Sequence, residues 1–293
     1  LVKESLSRSV SLRLRSDVPV AFCMSGGIDS NALIGMAAKE KSADVHGFTI
    51  VNTDERYGEI DLVESAVKEL NIKHTAVPLE KKNFLEELTN LIHAHDCPVY
   101  TITYFLHWKL MSAIHEAGYK VSISGTGADE LLTGYYDHGN LFLHSISQSG
   151  FSFQEALEGW QKNHAPFVRN KFLSDPYLYI NNPEFRDHIY DESEIFSQFL
   201  NRDWREDYYE KDFNLGLLRN RMMNELFHEI VPVILHEDDL NAMYYSIENR
   251  SPFLDRQLFE DAFSIPEHFL IKDGMKKSIL RDAVRGIVPD IIL

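Results

Sequence analysis

Two short glycine-bearing segments carry most of the chemistry available to this 293-residue chain. The first, Ser25-Gly26-Gly27-Ile28-Asp29-Ser30, follows the apolar run from Val18 to Met24. It precedes a stretch with Ala32, Leu33, Met36 and Ala37 at helical spacing. A strand-to-helix junction suits an anion, because the helix start offers unpaired N–H groups and the positive end of the macrodipole. Paired glycines let the backbone fold into a nest and approach a phosphate with no side chain in the way. Ser25 and Ser30 add hydroxyl donors, and Asp29 fits beside a phosphate once a divalent cation lies between them. An ordinary turn would need only a glycine for its backbone and a Ser or Asp cap. No Gly-Lys-Ser/Thr follows, so this is not the Walker pattern.

The second segment, Ser124-Gly125-Thr126-Gly127-Ala128-Asp129-Glu130, ends the strand-like run from Lys120 and continues into Leu131-Leu132-Thr133-Gly134-Tyr135. In a doubly wound sheet, ligands sit beyond the carboxyl ends of the strands. Asp29 and Asp129 are therefore expected to converge on one Mg²⁺, although Asp129 alone would read as a helix cap. Further on, Ser246-Ile247-Glu248-Asn249-Arg250-Ser251-Pro252-Phe253-Leu254-Asp255 sets three charges and a rigid turn in an apolar frame. Lys276-Lys277-Ser278-Ile279-Leu280-Arg281 by itself reads as the solvated face of a helix.

The elements that must position these segments follow from periodicity. Val18 to Met24, Val45 to Val51, His74 to Val77 and Lys120 to Ser124 have strand length. Between them, residues 30–41, 60–70, 85–92 and 102–117 place apolar residues at helical spacing, and residues 1–15 also read as helix. Strands alternating with such helices predict an α/β fold, a doubly wound parallel sheet with helices on both faces. From about residue 140 the strand signals fade and aromatic and acidic helical stretches take over, as in Asp203-Trp204-Arg205-Glu206-Asp207-Tyr208-Tyr209. The expected division is a core over 1–140 and a mostly helical extension over 141–293.

Composition bounds the partners. A net charge of −16 argues against nucleic acid, which needs clustered Lys and Arg. No apolar run is long enough to cross a bilayer, and no signal peptide opens the chain. Cys23 and Cys97 read as free thiols in a reducing compartment, so a cytoplasmic location is expected. The start without Met and the stop soon after Val288-Pro289-Asp290 suggest a piece of a longer polypeptide.

Taken together and in order, these motifs resemble the C-terminal synthetase domain of asparagine synthetase. That family has a Ser-Gly-Gly-x-Asp-Ser loop, the pyrophosphate loop of enzymes that cleave ATP between its α and β phosphates. A Ser-Gly-x-Gly-x-Asp-Glu loop runs into Gly-Tyr, and Glu-x-Arg-x-Pro-Phe-Leu-Asp and Lys-x-x-Leu-Arg segments follow before a Leu/Val-Pro. The resemblance covers residues 5 to 293. It implies an adenine nucleotide alpha hydrolase-like fold and a Mg²⁺-ATP-dependent ligase that adenylates a carboxylate, aspartate by default. Ammonia, derived from glutamine by an N-terminal glutaminase domain not contained in this chain, would then displace AMP. Carried over by position, Ser25, Gly26, Gly27, Asp29 and Ser30 hold the pyrophosphate, and Met24, Ile50, Ser124 and Gly125 line the adenosine pocket. Asp29 and Asp129 bind Mg²⁺. Lys277, Glu248 and Asp129 are implied as catalytic, with Thr126, Glu130 and Arg250 toward the substrate. A fixed ammonium at Lys277 would stabilise charge built up when a carboxylate attacks the α-phosphate.

Two positions depart from the family's pattern. Thr126 stands where an acidic residue is common, or Tyr in the β-lactam-forming relatives, and a short neutral hydroxyl cannot serve as a base. Leu240 stands where Arg is usual. These departures leave open a different carboxylate or a non-catalytic nucleotide-binding relative. A tRNA-modifying reading lacks its basic groove, and amidation in NAD or GMP synthesis lacks the Glu248 and Lys277 segments. His93 and His95, spaced i, i+2, splay apart on a helix and do not read as a metal pair, and Cys23 reads as core.

Overall fold

The computed structural model describes residues 1–51, 59–79, 82–190, 193–202 and 208–293. It divides into two compact units. One comprises Leu1–Ala128, Val231–Ala262 and Leu280–Leu293, the other Asp129–Ile230 and Phe263–Ile279. The break thus falls inside the second glycine segment rather than near residue 140. Two stretches of the C-terminal half also return to the first unit, because composition changes where strands stop recurring and not where the chain changes partners.

The first unit is built on a five-stranded parallel sheet: β1 Val20–Cys23, β2 His46–Val51, β3 Lys73–Pro78, β4 Val121–Ile123 and β5 Glu248–Arg250, in the order β3-β2-β1-β4-β5. This is the doubly wound α/β class expected from the alternation. Buried residues occupy β4 throughout and the first three positions of β1, the pattern of strands covered on both faces. β3 lies at an edge and can carry Lys73 and His74. Ala21, Phe48, Leu110, Met111 and Ile114 pack the helix Thr103–Glu116 against the sheet. The order reverses between β1, which neighbours β2, and β4, so the crevice at their carboxyl ends is the topological switch point.

β5 was not legible as a strand, since Glu-Asn-Arg has neither apolar content nor length. It is fixed by the Ser124 amide donating to the Arg250 carbonyl at 3.0 Å and by the Ser122 hydroxyl donating to Asn249 Oδ1 at 2.9 Å.

The second unit is helical around Leu141, Phe142, Tyr179, Leu218, Met222 and Leu270. Beside this core lies a buried charge network centred on Arg221. Its guanidinium meets Asp137 at 3.4 Å, Glu225 at 3.1 Å, Glu210 at 2.9 Å and Glu229 at 2.6 Å. Burial opposes the charge on Asp137, but hydrogen bonding from His188 and the charges of His138 and Arg221 hold it far below the usual carboxylate range. Of the acidic helix expected from Asp203, residues 203–207 lie outside the described residues, and Tyr208 and Tyr209 are not helical. Among the described residues no helix is long and apolar enough to cross a membrane.

Candidate active site

The loop after β1 turns directly into the helix Ile28–Gly35, with Gly27 extended at its N-cap. Three successive amides point at oxygen acceptors. The Ser25 N–H donates to Ser30 Oγ at 3.1 Å, Gly26 N–H to Glu59 Oε2 at 2.9 Å, and Gly27 N–H to Ser25 Oγ at 3.2 Å. Asn31, fully buried, ties the turn from within by donating to the carbonyls of Ser25 and Gly27 at 2.9 and 2.8 Å. The Gly26 amide thus already takes a carboxylate oxygen, and its neighbours take hydroxyl oxygens, a run of donors of the kind an anion requires. A Cβ on Gly26 would stand 2.9 Å from Glu59 Cβ, so close approach excludes a side chain there. Asp29 sits in the helix's first turn, and a Cβ on Gly125 would lie 3.2 Å from Asp29 Cβ. The two glycine loops therefore pack together at the switch point. Burial lowers the pKa of Arg281, a shift that the charge of Asp29 opposes.

A cavity of about 280 Å³ opens beside this loop. Met24, Ile50, Leu106 and Leu110 form apolar walls, Ser25 and Glu59 a polar rim, and His107 contributes an imidazole from the helix Thr103–Glu116. Met24, Ser25 and Ile50 are thus brought together, whereas Ser124 and Gly125 are not among the described lining residues. They belong to a polar chain at the end of β4. Asn249 Nδ2 donates to Ser124 Oγ at 3.1 Å, Ser124 and Thr126 hydroxyls meet at 3.2 Å, and Thr126 donates to Asp238 Oδ2 at 3.1 Å. The other Asp238 oxygen lies 3.1 Å from His107 Nδ1. Asp238 was missed because Glu237-Asp238-Asp239 reads as a solvated acidic face, whereas Glu237 and Asp238 are both buried.

In the second unit, Asp129 and Lys277 are held together, with Lys277 Nζ 2.7 Å from Asp129 Oδ1. Lys277 has a left-handed backbone, φ 58°, and its N–H donates to Thr133 Oγ1 at 3.3 Å. A long side chain at positive φ is an uncommon, strained choice that clusters at functional positions. Glu130 is 2% exposed and accepts a hydrogen bond from Tyr135, so its carboxylate is engaged inside this unit. Burial raises its pKa.

Glu248 and Arg250 pair with each other at 2.8 Å, and Arg250 also donates to the carbonyls of Arg13 and Arg15 at 2.6 and 2.9 Å. The register sets Glu248 beside Val121, the amino end of β4 and the end of the sheet away from the glycine loops. In this geometry Arg250, steadied by Glu248, fastens the end of the helix Val2–Arg13 to β5.

The asparagine synthase family model matches residues 1–293. This chain belongs to the asparagine synthase family. Two similar curated proteins are the asparagine synthetases [glutamine-hydrolyzing] 1 and 3 of Bacillus subtilis. They are 26% and 27% identical over all of this chain, which covers 48% and 46% of their lengths. Amidase chry2 of Gibberella zeae is 22% identical over 99% of this chain and 50% of its own length. The chain thus spans about half the length of the curated relatives it matches. Among solved structures, a U34-tRNA thiolase from Methanococcus maripaludis aligns with 98% of this chain and 89% of its own at 14% identity. Its TM-score is 0.30, too loose a superposition to bear on this chain's chemistry.

In this family member the thiol of Cys23 is no nucleophile: burial, reinforced by the charge of Asp238, pushes its pKa up to about 12. His95 is a core histidine rather than a metal ligand. It lies 3.0 Å from Glu237 and 3.0 Å from Asn241 Oδ1, within fully buried surroundings.

Proposed function

We propose that this chain is the ATP-consuming part of an amide ligase that activates a carboxylate as its acyl-adenylate. The observation that carries the reading is the nest after β1. Three consecutive amides there face oxygen acceptors at the switch point, beside a cavity with apolar walls. In this reading Gly26, Gly27, Ser25 and Ser30 hold the phosphates and Met24 and Ile50 the adenosine. A carboxylate oxygen of the second substrate attacks the α-phosphorus and pyrophosphate leaves. Ammonia then attacks the acyl carbon and AMP leaves, with a proton released as the amide forms.

Hard carboxylate oxygens suit Mg²⁺, and the Asp129 side chain is 38% exposed and so accessible to an ion. Asp29 and Asp129 are the residues proposed to hold it, and the ion would neutralise charge on the phosphates. Lys277 contributes a fixed ammonium, worth most where negative charge grows in the transition state. Aspartate is the default acyl substrate. Thr126, bonded to Asp238 instead of presenting its own carboxylate, supports a second reading in which the same chemistry serves another carboxylate. The ammonia would come from glutamine through a glutaminase domain in the full-length protein, a reading supported by the names and greater lengths of the relatives.

The test is carboxylate-dependent exchange of labelled pyrophosphate into ATP by the full-length protein. Exchange with aspartate or a related acid, abolished in Asp29→Asn, is the expected result. Exchange undiminished in that variant refutes the role given to the first loop.

A further inference from the structure

The cavity beside the nest has apolar walls and one imidazole, and that imidazole is held from behind. We propose that His107 reads the edge of the nucleobase, accepting a hydrogen bond from the exocyclic amino group of a 6-aminopurine, and that Asp238 sets the tautomer that makes this possible. The inference deepens the nucleotide reading above and rests on it.

The argument begins with Nδ1. A carboxylate oxygen 3.1 Å away can only be tolerated by a protonated nitrogen, because an unprotonated one would turn its lone pair toward the negative charge. The Asn241 amide, at 3.4 Å from the same nitrogen, is beyond the usual N–H···O/N range and already donates to the Tyr104 carbonyl at 3.1 Å. The proton therefore sits on Nδ1, and in the tautomer this selects Nε2 is an acceptor. Thr126 donates to the second Asp238 oxygen, so the carboxylate cannot turn away to release the ring. Among the described residues Nε2 has no hydrogen-bond partner.

Among the described residues, the threonines in the wall cannot discriminate in this way. Thr49 is engaged with His74 at 3.0 Å, and a threonine hydroxyl rotates to donate or accept as required. A fixed acceptor welcomes an amino group and repels a 6-oxo group, and a buried mismatch of this kind costs more than a merely missing contact. With the phosphates at the Ser25 and Glu59 rim, Met24, Ile50, Leu106 and Leu110 enclose the faces of a planar base, leaving His107 to read its edge.

The experiment measures binding of ATP, ITP and purine riboside triphosphate, which lacks the 6-amino group, by calorimetry on the full chain. The parent should prefer ATP over purine riboside triphosphate by about tenfold, the worth of one neutral hydrogen bond, and over ITP by more. His107→Leu should bind ATP and purine riboside triphosphate alike, and Asp238→Asn should narrow the ATP-to-ITP ratio. His107→Gln, which keeps an acceptor and guards against a folding defect in the leucine variant, should restore part of the preference. An ATP preference unchanged in both His107→Leu and His107→Gln overturns the inference while leaving the nucleotide site standing. A parent protein that binds none of the three nucleotides overturns both.

Discussion

Gly134→Ala adds one methyl group and should nearly abolish activity. Gly134 does not have a left-handed backbone, so alanine brings no conformational strain of its own. The difficulty is space. The new Cβ would lie 1.4 Å from Asp129 Oδ1 and 2.2 Å from its Cγ, while ordinary contact begins at 3.4 Å. The carboxylate must therefore retreat by about 2 Å. The displaced oxygen is the one 2.7 Å from the Lys277 ammonium, so the ion pair opens with it. Misplacing a reacting or positioning group by about 1 Å can cost roughly 10²-fold. The expected loss in carboxylate-dependent pyrophosphate exchange is thus at least about 100-fold at saturating ATP. Stability should change by no more than a few kcal/mol. The Asp129 side chain is 38% exposed, so the pair itself contributes no more than about 1 kcal/mol, with about 1–3 kcal/mol of overpacking beside it. Exchange and thermal unfolding are measured on the same preparations. Gly150→Ala serves as control, since its Cβ would meet nothing within 4 Å. A folded Gly134→Ala protein with exchange within a few-fold of the parent refutes the reasoning, because Asp129 would then tolerate any position.

Two further outcomes concern stability. Arg221→Met leaves Asp137 and Glu225 buried, and Glu210 and Glu229 half-buried, without their shared cation and should cost about 3–5 kcal/mol in denaturant unfolding, and an unchanged midpoint would mean that these carboxylates are held by other means. Acid should destabilise the protein through Asp137 and Asp255, whose folded pKa values lie below the ordinary aspartate value of 3.8 despite the opposing effect of burial, Asp255 being held by Arg13 and Arg8. Their contribution is complete above that value and is lost as pH falls below it toward the folded pKa. Denaturant midpoints flat down to about pH 2.5 contradict this, and Asp255→Asn should remove part of the slope.

How much of this was legible in the sequence depended on the range of the interactions. The first four strands and both glycine loops could be read because each is announced locally, by an apolar run followed by residues that only a tight turn needs. Met24 and Ile50 came from the family resemblance alone, and they sit at the ends of those strands. The side chains that complete the site could not be found this way. Asn31 looks like any polar residue in a helix's first turn, yet it is fully buried and ties the loop. Glu59 reaches Gly26 from 33 residues away, and Asp238 reaches Thr126 from 112. Nothing in local periodicity reports such pairings. Glu248 and Arg250 show the converse. Their charges drew attention as chemistry, while the register and the carbonyls of Arg13 and Arg15 give them a fastening role.

The place of Lys277 follows from weighing two modest forces. Its backbone has φ 58° and that of Thr133, whose hydroxyl accepts from the Lys277 N–H, has φ 69°, so strain of order 1–3 kcal/mol per residue is concentrated where the ammonium is aimed. Such a conformation persists only if the surroundings over-determine it, and the Thr133 hydroxyl and the Asp129 carboxylate are among the contacts that do so here. The carboxylate is partly exposed, so its hold on the ammonium is worth about 1 kcal/mol or less. A phosphate oxygen offers a charge-assisted bond of the same kind, one that strengthens as negative charge grows on it. In the proposed reaction Asp129 therefore keeps the ammonium extended and in register without binding it too tightly to respond. The ammonium can shift its interaction to the oxygens on which charge grows while the backbone stays where it is. A glutamate at 129 would reach further and an asparagine would offer only a neutral acceptor, and neither would keep the ammonium poised in this way.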